Sequence, residues 1–139
     1  MRLFFRKEGS GDPLIILHGL YGSSDNWQVI AKNLAKKYTV YSVDQRNHGN
    51  SPHHPGHTYS DMKNDLAEFF EEHHIAPAVI LGHSMGGKAA MVFAADYPEK
   101  IRKLIVADIA PRNYLEEENM NQYHLHRNIL LALLELDLS

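Results

Sequence analysis

Ala78-Val79-Ile80-Leu81-Gly82-His83-Ser84-Met85-Gly86-Gly87-Lys88-Ala89-Ala90 is the stretch on which the fold turns. Four consecutive apolar residues read as a strand covered on both faces, as in a parallel sheet. The alanine-rich segment that follows, through Tyr97, reads as a helix. Between them the chain must turn sharply while lifting the Ser84 hydroxyl clear of the sheet. Gly82 and Gly86, two residues before and two after the serine, remove Cβ atoms that would collide in such a turn. The helix beyond Ser84 aims its N–H groups and its positive dipole end at the serine, so negative charge developing there is stabilised. Ser84 is therefore the candidate nucleophile, and the Met85 N–H is the first candidate donor to an oxyanion. A Gly-x-Ser-x-Gly string alone carries little weight, because a glycine-rich βα turn with an incidental serine has the same letters. The strand before it and the helix after it give it meaning.

Working outward, Leu14 to Leu17 is a second continuous apolar run, entered through the turn Gly9 to Pro13 and ended by His18-Gly19. Leu3 to Lys7 reads as a short strand ahead of it. Ser23, Ser24 and Asp25 are candidate caps for a helix with Trp27, Ile30, Ala31 and Leu34 on one face. Tyr38 to Val43 is β-branched and aromatic, hence a strand, and it stops at Asp44. Gln45 to Tyr59 is loop. Ser60 or Asp61 can cap the next helix, which runs to about His74 with Met62, Leu66, Phe69 and Phe70 as its apolar face. Ile101 to Ala107 is a further strand. Strands alternating with helices at this rhythm predict β-α-β crossovers: an α/β, doubly wound, mostly parallel sheet with helices on both faces.

The 139 residues suit one compact domain, and 44% hydrophobic with 22% charged residues is ordinary globular composition. A net charge of −3 offers no broad positive field, so nucleic acid is not an expected partner. The chain has no cysteine, which removes disulfides and thiolate chemistry and is compatible with a reducing compartment. No stretch approaches the ~20 apolar residues of a membrane span. A soluble, cytoplasmic protein is the expectation.

A second oxyanion donor should come from a loop after another strand. His18-Gly19-Leu20-Tyr21-Gly22 is placed as such a loop, with the Leu20 N–H as donor and His18 as a buried histidine that shapes it. A third segment, Asp44-Gln45-Arg46-Asn47-His48-Gly49-Asn50-Ser51, resembles the Asp-x-Arg-Gly-x-Gly-x-Ser loop of the α/β-hydrolase superfamily, with Asn47 in place of a glycine. Together with Gly19-Leu20-Tyr21-Gly22-Ser23-Ser24-Asp25-Asn26-Trp27, Gly82 to Lys88 and Ala107-Asp108-Ile109-Ala110-Pro111, the chain is most similar to YbfF-type esterases, relatives of the abhydrolase-domain 11 proteins. The resemblance spans essentially all of the chain. It implies hydrolysis of carboxylic esters or acyl thioesters, acyl-CoA among them, through an acyl-enzyme and without a cofactor. It also implies residues 1–111 as the first part of the hydrolase core and 112–139 as the start of a helical cap. Within the third loop, a salt bridge made by Arg46 inside the Asp44 to Ser51 segment is expected.

A serine hydroxyl needs a histidine to take its proton and a carboxylate to orient that histidine. Asp108 ends the strand after the nucleophile helix, at the C-terminal sheet edge where sites of parallel sheets form. The resemblance makes it the acid, and a loop-ordering aspartate is the alternative. The chain has ten histidines, none of which recommends itself as the base. His83 lies inside the turn with its side chain directed away from that of Ser84, and His48 belongs to the glycine loop. His53, His54 and His57 lack carboxylate or thiolate partners at metal-ligand spacing, so no metal is expected. His73 and His74 suit a helix C-terminus. The base is expected outside these residues, supplied by the remainder of the same polypeptide or by another chain that completes the sheet. The competing readings are a non-catalytic binding protein on the same scaffold and a partner-dependent fragment.

Overall fold

The computed structural model describes residues 1–111. The expected cap segment 112–139, including His124 and His126, lies outside the described residues. Five strands, β1 (Phe5–Glu8), β2 (Asp12–Leu17), β3 (Tyr38–Val43), β4 (Ala78–His83) and β5 (Ile101–Ala107), form one sheet in the order β1-β3-β2-β4-β5. β1 runs antiparallel to β3, and every other pairing is parallel. Three helices make the crossovers: α1 (Gln28–Leu34), α2 (Tyr59–Glu72) and α3 (Met85–Asp96).

The alternation of side chains along the strands sorts the core into two layers. Ile15, Leu17, Tyr41, Val43 and Ile80 pack with Leu66, Phe69 and Phe70 of α2 and with Ala90 and Phe93 of α3. Leu14, Ile16, Val40 and Val79 face the other way, against Ala31, Trp27 and Leu34 around α1. Helices thus cover both faces, and the continuous apolar runs in β2 and β4 have the cause inferred from sequence. β5 pairs only with β4 among the described residues.

Two local expectations are corrected. The cap of α2 is Thr58, not Ser60 or Asp61: its Oγ accepts the Asp61 N–H at 3.1 Å while the Asp61 carboxylate accepts the Thr58 N–H at 2.9 Å. This reciprocal box pairs two otherwise orphaned backbone donors, and the helix starts at Tyr59, ahead of both expected caps. Ile30 does not share the buried face of Ala31 and is 45% exposed. The chain enters α1 through a 3-10 turn, Ser24–Trp27, capped by Ser23, and Ala31 then points inward with Ile30 one residue round at the margin.

Candidate active site

Ser84 sits between β4 and α3 at φ 51° and ψ −116°, outside the regions L-residues ordinarily occupy. Hydrogen bonds on both sides hold it there. Its N–H donates to the Ala107 carbonyl at 3.0 Å, and its own carbonyl accepts the Lys88 N–H at 3.1 Å. The flanking glycines are required by contact. A Cβ on Gly82 would lie 2.5 Å from the Gly86 carbonyl oxygen, and one on Gly86 would lie 2.4 Å from that of Leu17. Met85 is the first residue of α3, so its N–H belongs to the helix-end donors that have no carbonyl one turn back.

The loop after β2 closes on this turn. A Cβ built on Gly19 would stand 3.2 Å from Ser84 Cβ and 2.8 Å from His83 Nδ1, so only glycine lets the two segments approach. His18 is 1% exposed. Its Nδ1 lies 2.8 Å from the Gly19 carbonyl oxygen, and its Nε2 accepts the Gln45 N–H at 3.0 Å. Burial is the main cause that lowers its pKa below the ordinary histidine value, with the Gly19 hydrogen bond partly opposing it. His18 is thus buried and hydrogen-bonded through both ring nitrogens. Beside it opens a cleft of about 420 Å³ lined by Leu20, Tyr21, Trp27, Ile30 and His83, among others.

The loop after β3 is ordered by two buried charges. Asp44 accepts the N–H groups of Ser24 at 2.6 Å and Asn50 at 2.9 Å. Asn47 has φ 65°, a left-handed conformation that asparagine tolerates better than most residues, which is why it can stand where the family's loop has glycine. Arg46 corrects the expectation of a bridge within the loop. Its guanidinium reaches out to α2, where Nε and Nη2 donate to the Asp65 carboxylate at 2.6 and 2.9 Å, and Nη1 donates to the Gly56 carbonyl. The hydrogen-bonded Asp65 carboxylate holds the Arg46 pKa above its ordinary value. A fork pairing two parallel N–H groups with one carboxylate needs a planar partner, and α2 presents that partner across the loop. His48 and His57 follow outward from His18 as a row of tilted rings, the His18–His48 centroids 5.1 Å and the His48–His57 centroids 5.6 Å apart.

Asp108 follows β5 at φ 57°, on the same sheet edge as Ser84. Its carboxylate is 86% exposed and lies 3.6 Å from His83 Nε2. His83 faces Trp27 and Gly19 rather than its neighbour Ser84, as alternation along a strand requires. Among the described residues no histidine hydrogen-bonds Ser84, and no cluster of three histidine or carboxylate side chains could hold a metal ion. Ser84, Met85, the Gly19–Leu20 peptide and Asp108 all meet at the C-terminal edge of the sheet. Gln45 had no part in the sequence reading. The signal for it was available: a long amide side chain two residues beyond a strand, next to the aspartate that stops it.

A parallel sheet with helices on both faces, carrying a strained serine between strand and helix, defines a class. Residues 12–128 match the alpha/beta hydrolase fold family, and the chain belongs to it. Among curated proteins it is 42% identical over 121 residues to the sn-1-specific diacylglycerol lipase ABHD11 of Danio rerio, covering 86% of this chain and 38% of that protein. It is 40% identical to esterase YbfF of Escherichia coli (strain K12), covering 78% of this chain and 43% of the other. A solved marine microorganism esterase superposes with a TM-score of 0.87 at 51% identity, over 97% of this chain and 51% of that one. The chain thus spans about two fifths of these curated relatives. Among the described residues no helix is long and apolar enough to cross a membrane.

Proposed function

We propose that this chain carries the nucleophile half of a serine esterase or thioesterase. The observation that carries the reading is Ser84 held at a strained strand-to-helix turn, with the Gly19 backbone against its Cβ. In this reading Ser84 Oγ attacks the carbonyl carbon of an ester or acyl thioester while a histidine takes the Oγ proton. The carbonyl π pair moves onto oxygen, where the N–H groups of Leu20 and Met85 hold it. Collapse breaks the bond to the alcohol or thiol, which leaves with the proton, and the acyl group remains on Ser84. Water then repeats the sequence, releasing the acid. In this reading Asp108 orients the histidine. The histidine lies outside the described residues.

The named relatives, an esterase and a diacylglycerol lipase, support an acyl-ester substrate, and the same acyl transfer to Ser84 would serve an acyl thioester such as acyl-CoA. The lack of cysteine suits a cytoplasmic setting. A fluorophosphonate probe applied to the full-length protein should label Ser84, and Ser84→Ala should remove both label and ester hydrolysis. Asp108→Asn should slow labelling by as much as about 10⁴-fold, the loss that follows when the orienting acid of such a triad becomes an amide. A label that persists in Ser84→Ala would sink the proposal.

A further inference from the structure

Gln45 grips the oxyanion loop at two points, and the reaction scheme above leaves it without a role. It is 3% exposed and stands just past β3, beside His18 just past β2, because these strands are parallel neighbours and their ends meet. Its side-chain amide donates to the His18 carbonyl at 2.7 Å, and its backbone N–H donates to His18 Nε2 at 3.0 Å. A backbone N–H can only donate, so Nε2 must be the bare nitrogen and the imidazole proton sits on Nδ1. From Nδ1 that proton is donated to the Gly19 carbonyl at 2.8 Å, which also accepts the Gly22 N–H at 3.0 Å. Two successive carbonyls, those of His18 and Gly19, are thereby fixed.

The Gly19 carbonyl and the Leu20 N–H belong to one planar trans peptide and point in opposite directions. Whatever holds that carbonyl aims that N–H. A flip of the peptide would present an oxygen, not a donor, to the developing oxyanion. We propose that Gln45 is a positioning residue for the oxyanion hole, acting through His18 to fix the Leu20 N–H. The proposal rests on the serine-hydrolase reading of the site. It also explains why His18 must stay neutral: a proton on Nε2 would face the Gln45 N–H donor to donor. The ionisable groups around His18 are His48, which disfavours that proton, and Asp44, which favours it, while burial outweighs both.

The test is steady-state ester hydrolysis by the full-length protein. Gln45→Met keeps the side chain's length and the backbone N–H on His18 Nε2, and removes the amide that anchors the His18 carbonyl, one peptide before the Leu20 N–H. The expected result is a kcat reduced by at least about tenfold with KM changed less than about twofold, since a full donor is worth about 10²–10³ in kcat. Gln45→Glu supplies the second measurement. Its carboxylate repels the His18 carbonyl, but its acid form donates as the amide does, so activity relative to wild type should recover as pH falls below about 6. Should Gln45→Met not fold, as judged by circular dichroism, Gln45→Glu decides. A wild-type kcat in folded Gln45→Met, or a Gln45→Glu to wild-type ratio independent of pH, overturns the positioning role alone. Wild-type protein without Ser84-dependent turnover overturns the underlying site reading and this proposal with it.

Discussion

Ser84 shows how a local conformation is bought with stability. A non-glycine residue at φ 51° and ψ −116° stores roughly 1–3 kcal/mol that the surrounding contacts must offset. Ser84→Gly should relieve part of it. Urea unfolding is expected to give a midpoint equal to or above wild type, corresponding to as much as about 1 kcal/mol of added stability, while hydrolysis is lost. An equal or larger loss of stability would mean that the turn is not strained. Gly86→Ala should act in the opposite sense. Its Cβ would meet the Leu17 and His18 carbonyl oxygens at 2.4 and 2.6 Å, backbone atoms that cannot swing aside. A loss of about 1–3 kcal/mol by the same measurement is the expected cost of overpacking. These two opposite shifts, two residues apart, distinguish a functional strain from a packing requirement.

At the scale of elements, the loop after β3 is tied to α2 by the Arg46–Asp65 fork, buried on both sides. Removing Asp65 leaves the buried Arg46 guanidinium with only Asp61 at 3.5 Å and the Gly56 carbonyl, so Asp65→Ala should destabilise by about 3 kcal/mol, the low end for a broken buried pair. Arg46→Met combined with Asp65→Leu should recover most of that, because neither charge then needs a partner. Unfolding midpoints of the three variants check it, and a double variant no more stable than Asp65→Ala would show that the fork does more than neutralise two charges. The sequence already held the elements on either side of this loop. β3 and β5 fall on the residues their apolar and β-branched patterns indicate, and Met62, Leu66, Phe69 and Phe70 line the buried face of α2. What it did not hold was which element Arg46 would reach, because a long side chain chooses its partner by tertiary proximity and not by spacing along the chain. The same limit hid Gln45, whose role exists only because β2 and β3 are neighbours. Local chemistry likewise offered Ser60 or Asp61 as the cap, and Thr58 takes the place because Asp61 turns back to complete the reciprocal box.

For the molecule as a whole, the pH dependence of stability follows from the histidines that folding desolvates. Burial is the leading cause that lowers the pKa of both His18 and His57, with neighbouring charges adjusting each. Around pH 6 the unfolded chain therefore binds more protons at these sites than the folded one. Stability then rises with pH in that window. It is fully present above the ordinary histidine value of about 6.5 and is lost progressively as pH falls from there through the lowered folded values. Each group contributes at most about 1.4 kcal/mol per pH unit. The share of His57 is smaller, since it lies at the exposed end of the row where water screens it. Below about pH 4, the depressed carboxyls of Asp61, held by Thr58, and Glu71, held by Lys100, add losses of the same sign. Urea titrations between pH 5 and 7.5 should thus show a midpoint that falls as the solution is acidified. In His18→Asn, which cannot take up a proton, the slope should flatten over the same range, whereas His57→Asn should change it little. A wild-type midpoint constant from pH 7.5 to 5 would mean that burial does not hold His18 neutral in the loop after β2.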